Sequence, residues 1–129
     1  MADYIAGLKM SAFVYDFDHN VRNPEQLKAT HKPFFDALRK AQPNLPIIMV
    51  TAPDAYFNGP SFYARREIIY ENYLAAKNAG DNNVYYVDGS ALFPDSCIDN
   101  CIVDGTHPSD LGFHYMAEGI YKPFEEIFK

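Results

Sequence analysis

The chain has 129 residues, of which 48% are hydrophobic and 22% are charged, and it carries a formal net charge of −6 at neutral pH. This length suits one domain with a single core, and this composition excludes a disordered chain or a fibrous repeat. Because affinity for nucleic acid comes mainly from Lys and Arg, the excess of acidic residues excludes a typical nucleic-acid-binding protein.

Three short apolar runs predict β-strands. The second run is apolar on both faces and rich in branched side chains, which is the pattern of a parallel strand covered by helices on both sides. The strands are expected at residues 11–17, 45–51 and 83–87. Because helical segments separate and follow these runs, the sequence predicts an α/β fold with a parallel sheet.

Helical stretches follow each predicted strand. The first begins at Asn23, which suits an N-cap, and Pro33 inside it should kink or split it. The second covers residues 61–79. The last opens at Ser109 and should bend near its internal Pro123. Its apolar stripe is expected to comprise Phe113, Met116, Ile120, Phe124 and Ile127.

The most informative motif is the sequence DGTHPSDLG at residues 104–112. A carboxylate three residues before a histidine, across a glycine turn, can hydrogen-bond the imidazole, fix its tautomer and stabilise its charged form. The other ring nitrogen of His107 would then be free to take a proton from a hydroxyl. The alternative is an ordinary helix entry, in which Asp104 shapes a turn and His107 is a surface residue.

A second polar cluster, DFDHN at residues 16–20, follows the first predicted strand. The side chain of Asn20 could donate a hydrogen bond to a developing oxyanion. The same cluster could instead bind a divalent metal through Asp16, Asp18 or His19. A plain turn is the third interpretation, because Asp and Asn are common turn residues.

Together these two clusters resemble motifs of the SGNH, or GDSL, hydrolases. Residues 104–113 are similar to the C-terminal block of that family, which ordinarily reads Asp-x-x-His. Asn20 matches the Asn of the family's Gly-x-Asn-Asp block, although Asp18 replaces the Gly and Val21 replaces the final Asp. The variant Asp-x-Asp-His-Asn resembles a bacterial subgroup of the family.

The resemblance implies a fold and a chemistry. The fold would be a three-layer α/β/α, flavodoxin-like parallel sheet, and the activity would be hydrolysis of small acyl esters without a metal or organic cofactor. His107 and Asp104 would be two members of a Ser-His-Asp triad, and Asn20 would be the oxyanion donor. Tyr56 and Phe57, which follow the second predicted strand, could line an acyl pocket.

The sequence lacks the Gly-Asp-Ser block that carries the nucleophile of that family. The serines that it does contain lie in no such motif: Ser11, Ser61, Ser90, Ser96 and Ser109. The resemblance therefore implies one domain over residues 1–129 that matches the C-terminal portion of such a hydrolase, truncated to about three strands. It should have little or no activity alone. A non-catalytic assembly or binding domain is the alternative function.

If the first two strands of the resembled fold are absent, residues 11–17 form an open apolar edge. We expect a homodimer or higher oligomer built around this edge. No apolar run approaches the roughly 20 residues that span a bilayer. We therefore expect no membrane span. Because residues 1–10 do not have the pattern of a signal peptide, we expect a cytoplasmic location if the chain is complete.

The other polar candidates are expected to be structural. His31 should be a packing or capping residue within the first predicted helix. Cys97 and Cys101 should serve packing or form an optional bridge, because neither a metal quartet nor a redox C-x-x-C motif is present. Arg65 and Arg66 could meet an anionic ligand, but a solvated helix face is the more common arrangement.

Overall fold

The computed structural model describes residues 1–53 and 55–129, and for residues 55–58 it describes the backbone alone. Three parallel strands form one sheet in the order β1-β2-β3. Their bounds are Phe13–Tyr15 for β1, Ile47–Val50 for β2 and Val84–Val87 for β3. Each strand lies within its predicted range, and the predicted parallel sheet is confirmed.

Helices flank the strands in the predicted alternation. Their bounds are Ala2–Ala6 for α1, Pro24–Ala41 for α2, Ala55–Asn78 for α3, Ile98–Cys101 for α4 and Asp110–Ile127 for α5. Short 3₁₀ turns lie at Asp18–Asn20, Gly89–Ala91 and Asp95–Cys97. The path of α3 breaks at Gly59, whose φ of 51° lies in the left-handed region. The regular helix that continues from Pro60 corresponds to the predicted one at residues 61–79.

The alternating side chains of β2 explain the three-layer arrangement. Ile47 and Met49 pack on one face of the sheet with buried residues of α2 and α3. Ile48 and Val50 pack on the other face, against the apolar side of α5. All four side chains are fully buried, and each such burial stabilises the fold by about 1.5–3 kcal/mol. A strand covered on both faces has no polar side, which is why its sequence is continuously apolar.

The prolines within the helices do not split them, so of the two outcomes predicted at Pro33 the split is wrong, and the kink stays a prediction. α2 runs through Pro33 and α5 runs through Pro123. Pro33 is exposed, and so is Ala29, whose carbonyl loses its helical partner at this point. Water can therefore satisfy that carbonyl, which lowers the cost of the proline. A bend of α5 near Gly119 stays a prediction.

β1 lies at one edge of the sheet. In the part of the chain that the structure describes, β1 pairs with β2 alone, and Val14 is 37% exposed. This agrees with the expected open edge, while the oligomer predicted there stays a prediction. No helix among the described residues is both long and apolar enough to cross a membrane.

The start of α2 offers a test of the predicted cap. The Asn23 side chain accepts a hydrogen bond from the Gln26 N–H at 2.9 Å, and the Gln26 side chain accepts one from the Arg22 N–H at 2.8 Å. Replacing Asn23 by Ala should lower the free energy of unfolding by about 1 kcal/mol, as measured by urea denaturation. Asn23→Asp keeps an acceptor and is the matched control. Equal losses in the two variants would contradict the cap.

Candidate active site

Asp104 and His107 form a hydrogen-bonded pair just before α5. The His107 Nδ1 lies 2.7 Å from Asp104 Oδ2. The other carboxylate oxygen, Oδ1, accepts the backbone N–H groups of His107 at 2.8 Å and Thr106 at 3.1 Å. Gly105, with a φ of 87°, supplies the left-handed residue that this tight turn requires. A proton on Nδ1 directed at Asp104 leaves the imidazole Nε2 as the basic nitrogen.

The hydrogen bonds to Asp104 stabilise its charged form. The His107 backbone N–H first, and then the His107 side chain, lower the pKa of Asp104 to about 2. Asp104 is therefore a carboxylate at neutral pH and holds the imidazole as a hydrogen-bond acceptor. The pair is open to water, because the side chains of His107 and Asp104 are 77% and 55% exposed.

The loop that carries the pair is fixed at both ends. The Val103 N–H donates to the His107 carbonyl at 2.8 Å, and Ile102 and Pro108 form an antiparallel bridge. Ser109 caps α5 as predicted, because its Oγ accepts the Gly112 N–H at 3.2 Å. The backbone therefore holds His107 at the entry of α5, as general acid–base chemistry requires of a positioned imidazole.

A cleft of about 300 Å³ joins this loop to the turn after β1. Its lining residues come from the segments after β1 and β2, from the loop that carries Asp104 and His107, and from α5: Asp16, His19, Asn20, Pro53, Thr106, His107, Pro108, Phe113 and Met116. The structure thus brings Asn20 and His107, which are far apart in sequence, to the same cleft. The cleft lies beyond the carboxyl ends of parallel strands, where α/β folds commonly bind ligands.

A larger groove, of about 540 Å³, lies between α2 and α3 at the opposite end of the sheet. Both of its lining cations are already paired. The Arg39 guanidinium donates to Asp81 at 2.8 Å and to the Leu45 carbonyl at 2.6 Å, and the Lys32 ammonium lies 2.7 Å from Asp36 Oδ2. The smaller cleft is the stronger candidate for a functional site, because an oriented imidazole and an amide donor both line it.

Comparison with known proteins agrees with this geometry. The model of the GDSL-like lipase/acylhydrolase family matches residues 1–124. The chain belongs to this family. The resemblance inferred from residues 104–113 and Asn20 is therefore confirmed at the level of the family and the fold.

Two solved structures share the fold. A protein from Bacteroides ovatus assigned as a GDSL-like lipase is 26% identical, with a TM-score of 0.80 over 98% of this chain and 38% of its own. The salicylyl-acyltransferase SsfX3 from a tetracycline biosynthetic pathway is 18% identical, with a TM-score of 0.76 over 98% of this chain and 40% of its own. This GDSL-family chain thus spans about two-fifths of either structure. A search of curated proteins found no significant match.

The acidic residues after β1 have separate roles. Asp18 is buried, and its Oδ2 accepts the Ala52 N–H at 3.0 Å, which joins the ends of β1 and β2. Asp16 lines the cleft, where desolvation and the neighbouring Asp18 raise its pKa to about 6. The described residues include no group of three or more His, Cys, Asp or Glu placed to hold a metal. The metal-site interpretation of Asp16, Asp18 and His19 stays a prediction.

Arg65 positions the turn that carries Asn20, and the sequence did not predict this. Its guanidinium donates to the carbonyl of Asp18, and to the carbonyl of Val21 at 2.9 Å. Arg66 forms an ion pair with the Asp88 carboxylate. The expectation of a solvated helix face for these arginines is therefore wrong. The partners of Arg65 are more than 40 residues away in sequence, so no local pattern could reveal the contact.

Two predictions about apolar residues have different outcomes. Phe113 does not join the packed stripe of α5: it is 59% exposed and lines the cleft instead. The reason is that the first turn of α5 lies at the cleft, beyond the part of the helix that packs on Ile48 and Val50. The side chains of Tyr56 and Phe57, predicted to bind the acyl group, lie outside the described residues.

Proposed function

We propose that this chain carries the acid–base half of a serine acyl hydrolase active site. Asp104 orients His107, His107 Nε2 takes the proton of a serine hydroxyl, and Asn20 donates a hydrogen bond to the acyl oxyanion. The observation that supports this most is the 2.7 Å Asp104–His107 contact at a cleft that Asn20 also lines.

The serine would come from residues outside these 129. Among the described residues, no serine lines the cleft. Ser109 is engaged in capping α5, and the Ser90 hydroxyl donates to Asp88 at 2.6 Å. Two further observations agree with an incomplete site: the chain spans about two-fifths of its structural neighbours, and the edge of β1 is open. Alternatively, a second copy of the chain could pair with the open edge of β1.

The reaction would proceed in two steps. The serine oxygen attacks the acyl carbonyl carbon while His107 Nε2 accepts its proton, and the leaving alcohol then takes that proton as the ester bond breaks. Water, deprotonated by His107, next attacks the acyl-serine, and the serine oxygen takes that proton from His107 as the ester bond breaks and the acid is released. Phe113 and Met116 give the cleft an apolar side suited to a small acyl chain.

The isolated chain should be a poor esterase. On a small activated acetate ester its rate should be close to that of free imidazole, and no single Ser→Ala change should alter it. A fluorophosphonate probe should label no serine. If one Ser→Ala change abolished a substantial rate, the nucleophile would lie within these residues.

The residual rate also tests His107 itself. Because Asp104 leaves Nε2 free as the basic nitrogen, His107→Ala should remove more of this rate than His114→Ala does. His114 is the matched control, since it is an exposed histidine on α5. Equal effects of the two changes would argue that His107 has no special reactivity. That result would favour the second candidate, a non-catalytic binding domain, which is supported by the lack of a serine among the described residues that line the cleft.

A further inference from the structure

A pair of thiols lies directly behind the loop that carries Asp104 and His107. Cys101 is completely buried, whereas Cys97 is half-buried, and both are free thiols. The Cys101 thiol donates to the Cys97 carbonyl oxygen at 3.4 Å, and the Cys97 thiol lies 3.8 Å from the Tyr115 hydroxyl. Burial and the neighbouring Cys97 thiol raise the pKa of the Cys101 thiol. The two sulfur atoms thus belong to one local group.

The end of α4 that holds Cys101 is tied to the start of α5. The Cys101 carbonyl accepts the Ser109 N–H at 2.8 Å, and the Asn100 carbonyl accepts the Ser109 hydroxyl at 2.6 Å. A Cβ added at Gly112 would lie 2.1 Å from the Cys101 oxygen, so the two helices meet backbone to backbone. Because well-packed contacts of this kind transmit strain, a displacement of Cys101 must be passed to residues 102–109.

We propose that Cys97 and Cys101 form an oxidation site whose internal disulfide displaces residues 102–109 and thereby the Asp104–His107 pair. Cys97 is the N-cap residue of α4 and Cys101 is its last residue, so they stand one helical turn apart. Side chains one turn apart have Cβ atoms about 5–6 Å apart, whereas a disulfide holds them about 3.5–4.5 Å apart. Closing this gap requires the start of α4 to tighten, and we expect the bond to draw Cys101 away from its contacts with α5.

Hydrogen peroxide, or another hydroperoxide, supplies the oxidising equivalents. The sulfur of the more accessible Cys97, as thiolate, attacks a peroxide oxygen, the O–O bond breaks, and the departing hydroxide is protonated to water as Cys97 becomes a sulfenic acid. The Cys101 sulfur then attacks the Cys97 sulfur, the S–O bond breaks, and a second water leaves. In total the two thiols lose two electrons and two protons, and hydrogen peroxide is reduced to two waters.

The proposal can be tested by oxidising the unmodified chain. After exposure to hydrogen peroxide, neither thiol should be titratable when the protein is unfolded in denaturant, whereas both should be before oxidation, and the mass of the monomer should fall by two hydrogen atoms. In ¹H–¹⁵N correlation spectra the amide signals of residues 102–112 should shift, whereas those of α2, on the opposite face of the sheet, should not. Dithiothreitol should restore the original spectrum and both thiols.

Cys97→Ser is the matched control, because it keeps the buried Cys101 and changes only the half-buried position. Under the same treatment its remaining thiol should stay titratable and the signals of residues 102–112 should stay in place. The proposal would be overturned if both wild-type thiols survive, if disulfides form only between chains, or if the internal disulfide forms without moving these signals. None of these measurements requires ester hydrolysis, so they are independent of the proposed function.

Discussion

Replacing His107 by alanine is expected to lower kcat/KM for an activated acyl ester by about 10⁴-fold or more in a chimera that contains a complete active site. In this chimera the chain replaces the segment that it matches in the Bacteroides ovatus protein, so that the rest of that protein can supply the serine. The loss is large because His107 would serve both steps of the reaction, as base and then as acid.

Three further variants test whether the loss of kcat/KM comes from the arrangement of His107, Asp104 and Asn20. His114→Ala alters an exposed histidine of the same helix and should leave kcat/KM unchanged. Asn20→Ala should lower kcat by about 10²–10³-fold, the usual loss for one oxyanion donor. Asp104→Asn should lower kcat with little change in the binding of substrate, because it removes the acceptor that orients the imidazole. A folded chimera that hydrolyses the ester equally well without His107 would contradict the proposed role.

Features set by neighbours in sequence could be predicted from the sequence. β2 was predictable because each of its residues is apolar, which is what burial on both faces demands. The Asp104–His107 contact was predictable because three residues and a glycine turn bring the two side chains together whatever the rest of the fold does. The Ser109 cap is local in the same sense.

Features set by contacts across the fold could not be predicted. The sequence left several roles open for Asp18, and it did not indicate that the Asp18 carboxylate accepts the Ala52 N–H, 34 residues away, and so joins the ends of β1 and β2. Phe113 has the helical spacing of a core residue, yet only the position of α5 relative to the sheet determines that it lines the cleft. The ends of β1 fall short of the predicted range because β2 pairs only with Phe13–Tyr15.

His31 lies in the core that α2 forms with β1 and α3. It is completely buried, and its ring stacks on that of Tyr15 with centroids 4.3 Å apart. The Asn72 amide lies 3.0 Å from His31 Nδ1, and Nε2 has no hydrogen-bond partner among the described residues. Burial lowers the pKa of His31 to about 4, so the ring is neutral in the native protein at neutral pH.

This neutral ring predicts a loss of stability in acid. In the unfolded chain His31 takes up a proton near its ordinary pKa of 6.5, whereas the native protein does so only near pH 4. Between these values the unfolded state binds more protons, so the free energy of unfolding falls as the pH falls. At 1.36 kcal/mol for each unit of pKa difference, the full loss is about 3 kcal/mol.

Asp16 and Asp18 act in the opposite direction over part of the same range. Their pKa values are raised in the native state, that of Asp16 to about 6. Above their ordinary pKa of 3.8 the native protein retains protons that the unfolded chain releases, so their contribution to stability declines as the pH rises. The free energy of unfolding of the wild-type protein therefore depends on pH through two opposing contributions. The contribution of His31 must be isolated by comparison with a variant.

His31→Gln is the suitable variant, because glutamine does not titrate and can still accept the hydrogen bond of the Asn72 amide. The free energy of unfolding of each protein is measured by urea titration at several pH values between about 7 and 4. As the pH falls, the value for the wild type should decrease relative to that for the variant by about 3 kcal/mol. His114→Gln, at an exposed position, should give a curve parallel to that of the wild type. Parallel curves for wild type and His31→Gln would mean that the native core admits the proton as readily as the unfolded chain does.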